Sequence, residues 1–307
     1  SLRAVRRQPE ATDPPDILPG EPMHRPWLRL KELSVGLRHD ADDLEVRQTR
    51  WLRTCLERNA GTVIGRQCGF SRIRTIDDYR RAVPLFAHED YTPWIDRTEG
   101  GEADVLFSGR AVAFERTGGS TGGSKLIPYS AESLSDFRRA ILPWLAGLVS
   151  EFGLESGCAY WAISPALRAP ERTRGGAFVG LPDGAYLGED ALPLFVQLSA
   201  VPPSVGGIRD MDEWQLATLY WLVSRSDLSV ISVWSPTFFL ILLDALAGRA
   251  NELLAVYRHG AVISGIALPA DARAVTRLEQ YLAVGDSRLL WPGLRLVSAW
   301  ADGSSRQ

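Results

Sequence analysis

The chain has 307 residues, 45% hydrophobic and 23% charged, with a formal net charge of −3 at pH 7. That is ordinary globular composition with enough apolar material for one large domain or two smaller ones, and it excludes a global basic field that would make nucleic acid the main partner. Thr237–Leu243, the longest apolar run, is far short of the roughly 20 residues that span a bilayer.

Residues 1–26 hold Pro9, Pro14, Pro15, Pro19, Pro22 and Pro26. This spacing works against regular helix and predicts an extended or flexible arm, with residues 27–307 forming the folded part. Asp42–Asn59 reads as an amphipathic helix, with Leu44, Trp51, Leu52, Cys55 and Leu56 on one face and Arg47, Arg50 and Glu57 on the other. Thr75 is placed to cap a short helix over Asp77–Ala82, which Pro84 stops. Val105–Phe107 and Ala111–Phe114 read as strands around a turn at Ser108–Gly109, and Leu126–Tyr129 as a third extended segment. Ser130 caps the next helix. Its buried stripe is Leu134, Phe137, Ile141, Leu142, Leu145 and Leu148, and Pro143 is expected to kink it.

Cys158–Ile163 reads as an apolar strand, Arg172–Gly176 as a loop, and Leu216–Val223 as a buried helix. The clearest strand–helix unit follows. Leu228–Trp234 is the strand, Ser235 the cap, Pro236 the first helical residue and Gly248 the end. A helix near Asp271–Ala283 and a last strand over Leu294–Trp300, after the turn Trp291–Pro292–Gly293, complete the pattern. Strands alternating with helices predict an α/β fold with mixed, largely parallel sheets flanked by helices.

Cys55, Cys68 and Cys158 are too few and too far apart for a disulfide framework, and no Cys or His pair has metal spacing. With no signal-peptide core at the charged N-terminus, a soluble, reducing, cytoplasmic setting is expected. Arginine greatly outnumbers lysine, and its scatter through helical stretches reads mainly as solvated faces.

The chemistry concentrates in Phe114–Tyr129, FERTGGSTGGSKLIPY. Gly118, Gly119, Gly122 and Gly123 let the backbone turn with positive φ and let a ligand approach closely. Thr117, Ser120, Thr121 and Ser124 supply hydroxyls, and Lys125 a mobile positive charge. Successive amides in such a loop can cradle phosphate oxygens. The same composition also suits a plain flexible connection. Gly118 and Gly123 have the spacing of a Walker A loop, but Ser124 stands at its lysine position and Lys125 comes one residue late. The dinucleotide and kinase glycine patterns are absent from the loop.

The segment instead resembles the T-S-G-T-T-G-x-x-K signature of the adenylate-forming superfamily of acyl-CoA synthetases, luciferases and adenylation domains. Within it, the chain is most similar to the auxin-responsive acyl-acid amido synthetase family, including its bacterial members. The resemblance extends over Thr62–Phe70 (TVIGRQCGF), Ile76–Pro84 (IDDYRRAVP), Glu89–Gly101 (EDYTPWIDRTEGG), Lys125–Pro128 (KLIP) and Leu290–Gly303 (LWPGLRLVSAWADG), and is patchy between about Leu167 and Leu228.

The resemblance implies an enzyme that binds ATP and magnesium, activates a small carboxylic acid as its acyl-adenylate, and passes the acyl group to an amine, often that of an amino acid. Neither nucleic acid nor membrane is implied as a partner. Thr117, Gly118, Gly119, Ser120, Thr121, Gly122 and Gly123 would line the phosphates. Ser120 and Thr121 would make direct hydroxyl contacts, and Lys125 would supply charge. Gly118 replaces the usual serine and removes a donor. Asp302 and Gly303 fall where the family has an adenine- or acyl-side loop, with an ordinary strand-end turn as the alternative. Trp161 and Trp234 are candidates for an acyl pocket, or plain core residues. No metal ligand is identifiable. The family's later ATP motifs and its mobile C-terminal domain are expected beyond Gln307. The chain therefore reads as the incomplete N-terminal adenylation-type part, inactive alone, with a separate C-terminal half as one possible partner. A non-catalytic nucleotide- or acyl-binding module and, more weakly, an acyl-CoA synthetase-like enzyme are the competing readings.

Overall fold

The computed structural model describes residues 26–32, 43–117, 125–162, 171–181, 186 and 188–300. Helix α1 (26–32) starts at Pro26, whose fixed φ and missing N–H suit a first helical position. Pro26 therefore belongs to the folded part, and the remainder of the expected arm lies outside the described residues. Trp27 and Leu30 are each only 1% exposed, and Trp27 Nε1 donates to the Gly157 carbonyl at 2.9 Å.

Helix α2 (Leu44–Asn59) appears where its periodicity predicts, but its apolar face is only partly used. Leu56 is buried, Leu52 and Cys55 are half-buried, and Leu44 and Trp51 are exposed, because only the C-terminal half packs, against the turn Phe70–Arg72. Helix α3 (Val63–Gln67) is capped by Thr62. The Val63 and Ile64 amides donate to the Asp104 and Val105 carbonyls.

Those bonds help explain why Val105–Phe107 is not the expected strand. The carbonyls of Val105 and of Asp104 just before it are engaged by the start of α3, and Asp104 at φ 59° and Gly109 at φ 83° fold the segment into a closed loop. The Asp104 carboxylate accepts from the Gly109 amide, and Asn59 Oδ1 accepts from the Ser108 amide. Helix α4 (Ile76–Ala82) follows with the expected Thr75 cap, completed by Asp78 reaching back to the Thr75 amide. Helix α5 (His88–Glu99) was not expected, since Pro93 lies inside it; Asp90 secures its start by accepting from the Ala87 amide.

The first sheet has the order β2-β1-β5-β4. Strand β1 is Ala113–Arg116 and β2 is Leu126–Tyr129, antiparallel and paired from Ala113↔Tyr129 to Arg116↔Leu126. The expected strand at Ala111–Phe114 thus moves two residues on, into register with β2. Strand β4 (Glu171–Arg172) takes in Arg172, expected in a loop, and β5 (Phe178–Val179) runs parallel to β1.

Helix α6 (Ala131–Glu151), capped by Ser130 as expected, continues through Pro143. Leu134 and Leu145 of its stripe are buried, Ile141, Leu142 and Leu148 are half-buried, and Phe137 is exposed.

The second sheet is wholly parallel, with the order β3-β6-β9: β3 is Cys158–Trp161, β6 Leu228–Val233 and β9 Leu296–Ala299. On it packs the main core, from α8 (Met211–Ser224), α9 (Pro236–Gly248), α10 (Ala250–His259) and α11 (Ala272–Val284). Tyr220, Leu222, Leu253, Tyr257, Leu278 and Trp291 are all but sealed from solvent. Their polar atoms are satisfied by backbone: Tyr220 Oη donates to the Pro269 carbonyl and Trp291 Nε1 to the Leu222 carbonyl. Helix α7 (Gly188–Leu198), α10 and the hairpin of β7 (Ala261–Ile263) and β8 (Ile266–Leu268) were not expected from sequence.

Candidate functional site

The glycine segment is the connection between β1 and β2. One residue beyond the last ladder pair, the Thr117 amide donates to the Lys125 carbonyl at 2.9 Å. The Lys125 amide donates in return to Thr117 Oγ1 at 3.2 Å. Gly118, Gly119, Ser120, Thr121, Gly122, Gly123 and Ser124 lie between these two and outside the described residues, as do Asp302 and Gly303. The neck therefore presents a short, glycine-rich segment whose ends are held together. Closing the ends in advance reduces the conformational entropy that a ligand would otherwise have to remove.

At the neck, Lys125 Nζ stands 3.4 Å from Glu89 Oε1 in the first turn of α5. A bond from its own backbone amide, and then the ammonium of Lys125, hold the Glu89 carboxyl below the usual carboxylate range. The contact is exposed, so water screens it and the lysine can leave it for a stronger partner. Lys125 is one of only two lysines in the sequence, the other being Lys31.

The strand leading to the loop is braced on its other side. Glu115 Oε1 accepts from Tyr186 Oη and from the Leu181 amide, each at 2.6 Å. Arg116 and Glu171 form a two-point ion pair across the sheet. The Tyr186 ring lies 5.3 Å from Phe137 of α6. Helix α6 carries on from there to Trp161, which packs with Ile141, Leu142, Leu145 and Phe195.

Trp161 ends β3, half-buried and stacked on Phe195 at 4.5 Å; its Nε1 is shielded and has no hydrogen-bond partner among the described residues. Trp234 and Trp300 follow the paired residues Val233 and Ala299 directly. Their rings meet edge to face at 5.6 Å and stay exposed, at 60% and 73%. All three indoles thus stand at the carboxyl ends of parallel strands, the edge where open α/β sheets receive ligands.

Of the expected residues, the structure brings Thr117 and Lys125 together and sets Trp161 and Trp234 at the carboxyl ends of neighbouring strands. Sequence reading missed Glu89, Glu115 and Tyr186. Glu89 sat within a family-like segment but had no assigned partner, and no spacing signal connects Glu115 with Tyr186. Among the described residues no cluster of three or more His, Cys, Asp or Glu side chains is placed for a metal ion, and no helix is long and apolar enough to cross a membrane.

A model of the GH3 family N-terminal domain matches residues 36–307. The chain belongs to the GH3 family. Among curated relatives, the probable indole-3-acetic acid-amido synthetase GH3.1 of Oryza sativa subsp. japonica is 33% identical over 137 residues, which cover 42% of this chain and 22% of that protein. The indole-3-acetic acid-amido synthetase GH3.8 of Oryza sativa subsp. indica is 28% identical over 133 residues, again 42% and 22%.

The GH3 chain also shares its fold with a solved GH3.15 acyl acid amido synthetase, at a TM-score of 0.69 and 19% identity, covering 94% of this chain and 53% of that one. AtGH3.15 acyl acid amido synthetase in complex with 2,4-DB gives a TM-score of 0.71 at 19% identity, covering 95% and 53%. The chain thus spans about half the length of the solved relatives, and the matched segments about a fifth of the curated ones. The α/β architecture expected from sequence is the one these GH3 structures have.

Proposed function

We propose that this GH3 chain is the nucleotide-cradling, N-terminal part of an ATP-dependent acyl-acid amido synthetase. The observation that carries this is the closed neck at Thr117 and Lys125, which holds a segment rich in glycine and hydroxyl groups with a movable ammonium beside it. That is the chemistry a polyphosphate needs: backbone amides, hydroxyl donors and a point charge. Thr117, Gly118, Gly119, Ser120, Thr121, Gly122 and Gly123 would bind and orient the phosphates, and Lys125 would leave Glu89 to meet their charge. Asp302 and Gly303 would border the adenine or acyl side.

In the reaction proposed, a carboxylate oxygen forms a bond to the α-phosphorus and the bond to pyrophosphate breaks. The amine nitrogen then bonds to the acyl carbon, AMP leaves with the C–O electron pair, and the nitrogen gives up a proton. The substrate supplies its own nucleophile, so the protein's part is positioning and charge stabilisation. Trp161 and Trp234 would form an apolar wall for the acid at the carboxyl ends of the strands. The described residues offer no cluster of three or more His, Cys, Asp or Glu side chains for magnesium.

The substrates would be a small carboxylic acid and an amine, the setting cytoplasmic, and a separate C-terminal half would complete the enzyme. The second reading is a module that binds nucleotide without completing the reaction. Calorimetric titration of ATP with magnesium into the chain, alongside a mass-spectrometric assay for AMP and amide with a panel of carboxylic acids and amino acids, tests both. The expected result is nucleotide binding without amide. Robust AMP and amide formation by the chain alone would overturn the reading of it as an incomplete part. Absence of nucleotide binding would overturn the ligase reading as well.

A further inference from the structure

A pocket of about 240 Å³ opens between α2 and α6, away from the β1–β2 neck in the chain and built from different elements. Arg47, Arg50 and Arg58 reach it from α2 and Arg139 from α6, around Trp51 and Cys55. The spacing 47, 50, 51, 54, 55, 58 is one continuous face of a helix, so these arginines stack turn upon turn and repel one another. Among the described residues, few carboxylates answer Arg50, Arg58 and Arg139. Asp136 pairs with Arg139, Glu57 turns towards Arg53 at 3.8 Å, and Arg50 and Arg58 form no ion pair among the described residues.

Sequence alone gives these arginines a solvated face. Their convergence with Arg139 around a concave space is a structural fact that this reading does not anticipate. A guanidinium fork matches phosphate oxygens two at a time, and several forks in one hollow select for an anion with more than one charge. Trp51, 52% exposed, adds a flat apolar wall. The volume lies below the roughly 300–1,000 Å³ of sites for drug-sized ligands, which favours a compact anion over a whole nucleotide.

We propose that the α2–α6 pocket is a second anion site, for a small multiply charged phosphate compound of the pyrophosphate class, held by Arg50 and Arg58 with Arg47 and Arg139 at its walls. Such a site would make the chain responsive to the phosphate status of its surroundings independently of the glycine segment.

The test is calorimetric titration of inorganic pyrophosphate into the full chain, into Arg50→Gln/Arg58→Gln and into Ser120→Ala/Thr121→Ala, at fixed ionic strength, with sulfate as the comparison anion. Both arginines are exposed, so the arginine variant is expected to keep the thermal midpoint of the unmodified chain. Pyrophosphate binding should survive in the Ser120→Ala/Thr121→Ala variant and weaken at least tenfold in the arginine variant, with sulfate a much poorer ligand. Binding undiminished in the arginine variant, or lost only in the Ser120→Ala/Thr121→Ala variant, would overturn the second site while leaving the proposed function standing. Sulfate binding as tightly as pyrophosphate would reduce the pocket to general charge screening and overturn it too.

Discussion

Thr117 and Lys125 hold each other across the base of the glycine segment: the Thr117 amide donates to the Lys125 carbonyl and the Lys125 amide to the Thr117 hydroxyl. Of these two bonds only the second depends on the side chain of Thr117. Thr117→Val should therefore cost about 1 kcal/mol of stability and weaken ATP binding several-fold by loosening the neck. Thr117→Ser should retain most of both. Thermal unfolding and calorimetric titration of the two variants provide the comparison.

The contact between Lys125 and Glu89 holds the lysine at the neck without burying it. Glu89→Gln should leave the unfolding midpoint nearly unchanged and should tighten ATP binding modestly, because the ammonium no longer has a carboxylate to leave. With only Lys31 and Lys125 in the chain, amine-directed labelling read by mass spectrometry reports on Lys125 almost alone. ATP should protect Lys125 and spare Lys31.

Trp27 joins α1 to the strand side of the molecule through a buried ring and its bond to the Gly157 carbonyl. Trp27→Ala should destabilise the chain by about 3–5 kcal/mol through the cavity left behind. Trp27→Phe should recover most of that, losing the hydrogen bond at a cost of about 1 kcal/mol. Denaturant unfolding distinguishes the two.

Asp227 lies beside the start of β6. Burial raises its carboxyl pKa, but the two-point bond from Arg225 outweighs that and the net position is below the usual aspartate range. A depressed folded value stabilises the fold above the ordinary aspartate pKa of about 4 and is lost as pH falls through the lower folded value. The unfolding midpoint should fall with acidification in that window. Asp227→Asn should begin lower at neutral pH and show a shallower acid-side decline.

Ser130, Thr75 and Ser235 cap helices as expected because capping is a local bargain between a hydroxyl or carboxylate and amides two or three residues away. The glycine segment was legible for the same reason: its chemistry is contained in consecutive residues. Val105–Phe107 misled because an apolar triplet looks like a strand until Val63 and Ile64, far off in the chain, take carbonyls from its start. The same distance hid Glu89 from Lys125 and Glu115 from Tyr186. Helix α10 escaped notice because it follows α9 with only Arg249 between, and Gly248 reads as an end.

Nucleotide binding at the glycine segment is tested most directly by calorimetric titration of ATP with magnesium into the unmodified chain and into Ser120→Ala/Thr121→Ala. Saturable binding that falls by at least tenfold in the variant, with the thermal midpoint preserved, is the result predicted. Equal binding in both proteins, or no binding by a folded unmodified chain, would contradict it.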